Sequence, residues 1–222
     1  MEKVVSGIVN FQRTAFEDRK ALFAELANGQ SPEVLFITCA DSRIDPSLVT
    51  QTEPGDLFIC RNAGNIVPPH MRVAGGVTAS IEYAVAALGI RDIIVCGHTD
   101  CGAMKGALNP AALKDLPHVH DWLDHARAAV DVVKATHGRA SIEELLAVTE
   151  QNVLLQLQHL KTHPAVAAGL STEQIALHGW VYHIETGAVT CYDDAQDAFI
   201  PLEERYASLI PAEGAADAAS AG

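Results

Sequence analysis

Three short runs of apolar, β-favouring residues, Val34–Thr38, Leu57–Cys60 and Asp92–Cys96, alternate with spacers long enough for a crossover. Each run reads as a strand, the first a buried one, and spacers of that length return the chain to begin the next strand in the same direction. Strand, helix, strand, helix, strand implies an α/β fold: a mainly parallel central β-sheet flanked by helices.

The helices are marked by their boundaries. Apolar residues from Val4 to Leu26 recur at roughly helical spacing, predicting an N-terminal helical arm over 1–28, stopped by Asn28-Gly29 and Pro32. Asp45-Pro46 reads as an N-cap followed by proline at the first helical position. Gly75-Gly76 opens a helix from Val77 to Leu88 that Gly89 ends, and another helix starts at Cys101 or Gly102. Longer helices are expected over Val119–Thr136 and from Ser141 to Thr162, the latter opened by a Ser141/Glu144 capping box and closed by Pro164. Ala176–His183 and Ala188–Tyr192, joined across Glu185-Thr186-Gly187, read as a strand pair, the second a candidate antiparallel edge strand. The chain reads as a single α/β domain over 1–210, followed by an Ala/Gly/Ser-rich tail, 211–222, expected to be disordered.

The 222 residues carry 28 Asp+Glu against 15 Lys+Arg, a net charge of −13. So acidic a surface repels phosphate backbones, which argues against nucleic-acid partners. The N-terminus has no apolar signal core, and no run is long enough to cross a membrane, so a cytoplasmic protein is expected. In that reducing compartment five cysteines suit metal ligation and buried thiols better than disulfides.

Two of the strands end in unusual polar clusters. Cys39-x-Asp41-x-Arg43 follows the first, and His98-x-x-Cys101 follows the third. In an open α/β sheet ligands bind beyond the carboxyl ends of the strands, so both clusters fall on the same edge. Two thiolates and an imidazole form a donor set suited to Zn²⁺, and a helix N-terminus at Cys101 favours its thiolate. The fourth position takes either water, as in a catalytic site, or the Asp41 carboxylate, which closes the site. Taken singly, a strand-end cysteine is a buried hydrophobe, Asp41 a turn residue and Arg43 a surface charge. Their joint occurrence is what points to a metal.

The stretches ITCADSR, GDLFICRNAGNIVPP, GGVTASIEYAVAALG and IIVCGHTDCGAMKG, in that order, resemble the β-class carbonic anhydrases. The match is close from Gln30 to Asn109 and looser at HGWVY, His178–Tyr182. The resemblance implies that Cys39, His98 and Cys101 bind zinc, that Asp41 and Arg43 form a catalytic dyad orienting a zinc-bound hydroxide, and that the reaction is reversible hydration of CO₂ to bicarbonate. It also implies a substrate pocket of the plant-type branch from Gln30, Phe58 and Tyr83, and a homodimer or dimer of dimers. On their own, these three would be a loop polar residue, a strand core residue and a helix core aromatic. A second bacterial branch places a tryptophan three residues before the first zinc cysteine, in a non-catalytic bicarbonate site. Phe36 stands there, although matching Arg61 and Tyr182 are present, so that inhibitory site is not expected and Asp41 is expected off the metal near neutral pH. Hydrolysis of CS₂ or COS on the same zinc, and a non-catalytic zinc-stabilised interaction protein, are the alternatives. Cys60, Cys96 and Cys191 read as buried thiols, and His118, His120 and His125 as exposed helix residues. Gly75-Gly76 resembles a phosphate loop only faintly, with no Walker lysine after it.

Overall fold

The strands are buried because their side chains are apolar toward both sheet faces. In β1 (Val34–Cys39) Leu35 and Ile37 enter one core layer while Phe36 enters the other, and β3 (Asp92–His98) divides Ile93 and Val95 from Ile94 and Cys96 in the same way. Strands buried on both faces belong in a parallel sheet covered by helices. The structure, a computed structural model, describes residues 1–72 and 75–210. The segment 211–222, expected to be a disordered tail, lies outside the described residues.

Among those residues one six-stranded sheet runs in the order β2-β1-β3-β4-β5-β6, with β2 at Leu57–Asn62, β4 at Ala176–Tyr182, β5 at Val189–Asp193 and β6 at Ala198–Pro201. The pairs β1–β2, β1–β3 and β3–β4 are parallel; β4–β5 and β5–β6 are antiparallel. The chain leaves β1 for β2 on one side and then crosses to β3 on the other. The strand order therefore reverses between β1 and β3, which opens a crevice at their carboxyl ends. The antiparallel edge is β6, not the Ala188–Tyr192 strand, because one further short pairing follows it.

The arm departs from the single helix expected. It is three pieces, α1 (Glu2–Arg13), α2 (Ala15–Asp18) and α3 (Lys20–Leu26), broken at Thr14 and Arg19. A straight helix would set Phe11 and Phe23 about 18 Å apart along its axis. Their ring centroids instead lie 6.0 Å apart, with Phe16 against both, so burial of three rings on one another folds the arm back.

Further along come α4 (Pro46–Thr50), with the Asp45 side chain accepting from the Leu48 N–H, and α5 (Gly76–Glu82), which continues into a π-helical turn at Tyr83–Ala87. Then α6 (Gly102–Leu108) is followed by α7 (Pro117–Leu123) and α8 (Arg127–His137), two helices where one was expected, separated by a 3₁₀ turn at Asp124–Ala126. The Ser141/Glu144 capping box forms ahead of α9 (Leu145–Leu160). Pro164 does not close that helix. It occupies the first position of α10 (Pro164–Ser171), where its missing N–H costs nothing. A short α11 (Leu202–Arg205) follows β6. No helix among the described residues is long and apolar enough to cross a membrane.

Candidate metal centre

Cys39 is the last residue of β1 and His98 the last of β3, and these strands are neighbours. Strand pairing thus joins residues far apart in sequence. Cys101 comes from the next turn, as the N-cap of α6. One donor atom from each of the three lies within 4.8 Å of the others, and all three residues are buried.

The hydrogen bonds orient each donor. The Nδ1 of His98 lies 2.8 Å from the Thr99 carbonyl, so it carries the proton and leaves the Nε2 lone pair free. That Nε2 is buried with no hydrogen-bond partner. An unpartnered imidazole nitrogen facing two sulfurs is costly unless a cation satisfies it, and two sulfurs with one nitrogen fit zinc. The Cys39 sulfur accepts from the Gly64 N–H at 3.4 Å. Its thiol is drawn down, chiefly by the Cys101 sulfhydryl, with the Gly64 N–H assisting against burial. Cys101 is pushed up by the neighbouring Cys39 thiolate and by burial, while the Met104 and Ala103 N–H groups pull the other way. The helix N-terminus thus acts on Cys101 as its position suggested, but the adjacent thiolate outweighs it. Two adjacent thiols resist joint ionisation, a penalty that a dication removes.

Asp41 is turned to Arg43. Its Oδ1 accepts from Arg43 Nε at 2.9 Å and from the Arg43 backbone N–H at 3.0 Å, and its Oδ2 accepts from Nη2 at 2.8 Å. This fork holds the carboxyl well below the usual range, with hydrogen bonding from Arg43 as the main cause. The same Oδ2 lies 3.8 Å from His98 Nε2, at the mouth of the donor set and beyond hydrogen-bond reach.

Several supporting groups carry weaker signals in the sequence. Asp100 braces the other side of Arg43, its Oδ2 accepting from Nη1 at 2.9 Å and its backbone carbonyl from Nη2 at 3.1 Å. Asp100 adopts φ +57 and is itself paired with Lys105. Arg61 donates to the carbonyls of Cys39, Asp41 and Ile44, fixing the strand-to-loop turn that carries the dyad. Phe36 is fully buried and packs edge-on against Trp180 at 6.2 Å. Of the expected pocket, Phe58 on β2 and Tyr83 at the end of α5 come together at 6.0 Å, while Gln30 is exposed between α3 and β1. Cys60, Cys96 and Cys191 are buried free thiols.

Fold and site together define a class: an α/β protein with a buried Cys-His-Cys cluster able to hold a metal at the point where its strand order reverses. The family model described as carbonic anhydrase matches residues 34–189. A carbonic anhydrase of Pseudomonas aeruginosa is 48% identical over 204 residues, covering 92% of this chain and 93% of the relative. One from Synechocystis is 44% identical over 213 residues, covering 95% of this chain and 78% of the relative. The solved β-carbonic anhydrase CcaA is 43% identical, with a TM-score of 0.88 over 90% of this chain and 98% of its own. The chain belongs to the carbonic anhydrase family, in its β class.

Proposed function

We propose that the chain is a carbonic anhydrase that interconverts CO₂ and bicarbonate at a zinc ion held by Cys39, His98 and Cys101, with Asp41 and Arg43 as its catalytic dyad. The observation that carries this reading is the buried, unpartnered His98 Nε2 within 4.8 Å of both sulfurs, beside a carboxylate engaged by Arg43. Bound there, zinc supplies a Lewis acid able to bring the ionisation of water close to neutral pH. Everything else is the work of side chains. Arg43 keeps Asp41 ionised and engages both of its oxygens. Asp41 Oδ2, at the mouth of the site, is placed to accept a hydrogen bond from the O–H of the attacking water and so aim its lone pair at carbon. Phe58 and Tyr83 offer an apolar wall to an apolar substrate, and Gln30 an amide for one of its oxygens.

A homodimer or dimer of dimers fits the surface. Val4, Val5, Ile8 and Phe11 expose apolar surface along the arm, and Tyr83 is half exposed beside the pocket. A solved β-carbonic anhydrase of Sordaria macrospora, 28% identical with a TM-score of 0.77, is one of two described as tetrameric. One domain over 1–210 and a cytoplasmic location complete the reading, the latter supported by five unpaired cysteines.

Stopped-flow hydration of CO₂ tests it, with COS and CS₂ run beside it. The expected result is CO₂ hydration that Cys101→Ser abolishes. Turnover of only the sulfur substrates would favour hydrolysis at the same centre, and no turnover of any would favour a structural zinc.

A further inference from the structure

We infer that Asn152, Gln156 and His159, three buried or half-buried side chains on one face of α9, are positioning residues for the metal ligand Cys39, acting through the loop 63–67. The inference rests on the zinc reading above and reaches residues far from the ligands in sequence.

The loop that follows β2 is buried: Asn65, Ile66 and Val67 are at most 1% exposed. A buried loop cannot pair its backbone with water, so its partners must come from the protein. They come from side chains. Asn152 Nδ2 donates to the Gly64 carbonyl at 3.1 Å. Gln156 Oε1 accepts from the Val67 N–H at 2.9 Å, and His159 Nδ1 lies 2.8 Å from the Val67 carbonyl. Trp122 Nε1 donates to the Ala63 carbonyl at 2.8 Å. Positions 152, 156 and 159 follow the i, i+4, i+7 spacing of one helix face.

The three are also linked to one another. Gln156 Nε2 donates to Asn152 Oδ1 at 2.8 Å, and His159 Nδ1 lies 3.1 Å from Gln156 Oε1. Leucine at these positions would bury the helix face with no desolvation cost, so packing alone does not explain the amides. What the ladder does locally is fix both ends of the loop that presents the Gly64 N–H to the Cys39 sulfur. The Asn152 bond falls on Gly64 itself, the residue that donates to the ligand. Groups that orient a first ligand in this way typically govern metal affinity and the electronic character of the bound sulfur.

The test uses the full-length chain with Co²⁺ as the probe, following the sulfur-to-cobalt charge-transfer absorption and chelator competition. Asn152→Ala is expected to weaken Co²⁺ binding by about 10–100-fold and to shift the charge-transfer band. Leu157→Ala is the control: the same helix, buried against β4 beside Gly179, with no hydrogen bond to the loop. It is expected to lower thermal stability while leaving affinity and band at wild-type values. Should Asn152→Ala not fold, Gln156→Met, which removes the Val67 bond together with the Gln156 bonds to Asn152 and to the His125 carbonyl but leaves the Asn152 bond to Gly64, is expected to give the same signature more weakly. Affinity within twofold of wild type and an unshifted band in the loop-linked variant would overturn the inference, as would an equal loss in Leu157→Ala. A wild-type chain with no charge-transfer band would overturn the metal reading itself, and the inference with it.

Discussion

Gly64 sits where the loop, α6 and the Cys39 sulfur meet, so replacing it with alanine is a sharp test of how tightly the centre is built. The residue adopts φ +84, a conformation that L side chains rarely take. An added Cβ would lie 2.9 Å from the Cβ of Ala103 and 3.1 Å from the Met104 Cε. The Ala103 atom is rigidly attached to the first turn of α6, so backbone must move to relieve it. The left-handed conformation costs about 1 kcal/mol and overpacking about 1–3 kcal/mol more. The sum, about 2–4 kcal/mol, lowers Tm by roughly 5–15 °C in a chain of this length. Thermal and urea denaturation measure it. The strain also displaces the N–H that reaches Cys39, so the variant should purify with less than its full complement of metal. Ala103→Gly removes the nearest clash and, in a double-mutant cycle, should recover part of the loss while leaving the φ cost. A Gly64→Ala chain melting within about 2 °C of wild type would refute the packing reasoning.

Further outcomes follow from the dyad and from the cap of α9. Asp41→Asn keeps shape but loses the charge that pairs with Arg43, and should lower kcat/KM for CO₂ by about 10²–10³-fold with an unchanged circular dichroism spectrum. A loss below tenfold would remove Asp41 from the reaction. Glu144 is held down to about 2 from its ordinary 4.5, chiefly by the Ser141 hydroxyl and then, against burial, by Arg139. A carboxyl with a depressed folded-state pKa adds stability that is present above pH 4.5 and is lost as pH falls toward 2. Glu144→Gln should therefore flatten the acid limb of the stability profile between those values, and an acid limb identical to wild type would contradict that assignment.

Much of the molecule was legible in the sequence because its information is local. The apolar runs of β1 and β3 mark buried parallel strands and that of β2 a parallel strand at the sheet edge, and Asp45-Pro46 and Ser141/Glu144 mark helix starts with their own side chains. The strands nonetheless run further than their apolar residues. Arg61 and Asn62 pair with Thr38 and Cys39, and Gly97 and His98 with Val181 and Tyr182, so backbone pairing carries polar residues to the sheet edge where the centre lies. Pro164 is ambiguous locally, since proline both stops a helix and starts one. The break of the arm at Thr14 depends on ring contacts between distant phenylalanines, which no periodicity reveals. β6, four residues ending in proline, and α11, four mostly charged residues, are too short to stand out.

For the site, the Cys39, His98 and Cys101 cluster and the Asp41–Arg43 pairing were readable from two motifs, and family resemblance supplied the substrate. The shell around them was not. The Asn152 bond to Gly64 spans 88 residues and the Asp100 brace on Arg43 spans 57, and each exists only once the strands have assembled. Asn152 and Gln156 look like ordinary polar residues of an amphipathic helix until their burial is known.

In the proposed function, one zinc held by Cys39, His98 and Cys101 makes the chain a CO₂ hydratase. Zinc titrated into chelator-stripped protein, with bound metal and CO₂ hydration rate followed together, tests it most directly. The expected result is a rate that rises linearly from baseline and breaks at about one zinc per chain, in keeping with the three-ligand set. Full activity in the stripped protein, or a zinc-saturated chain with no activity, would contradict it.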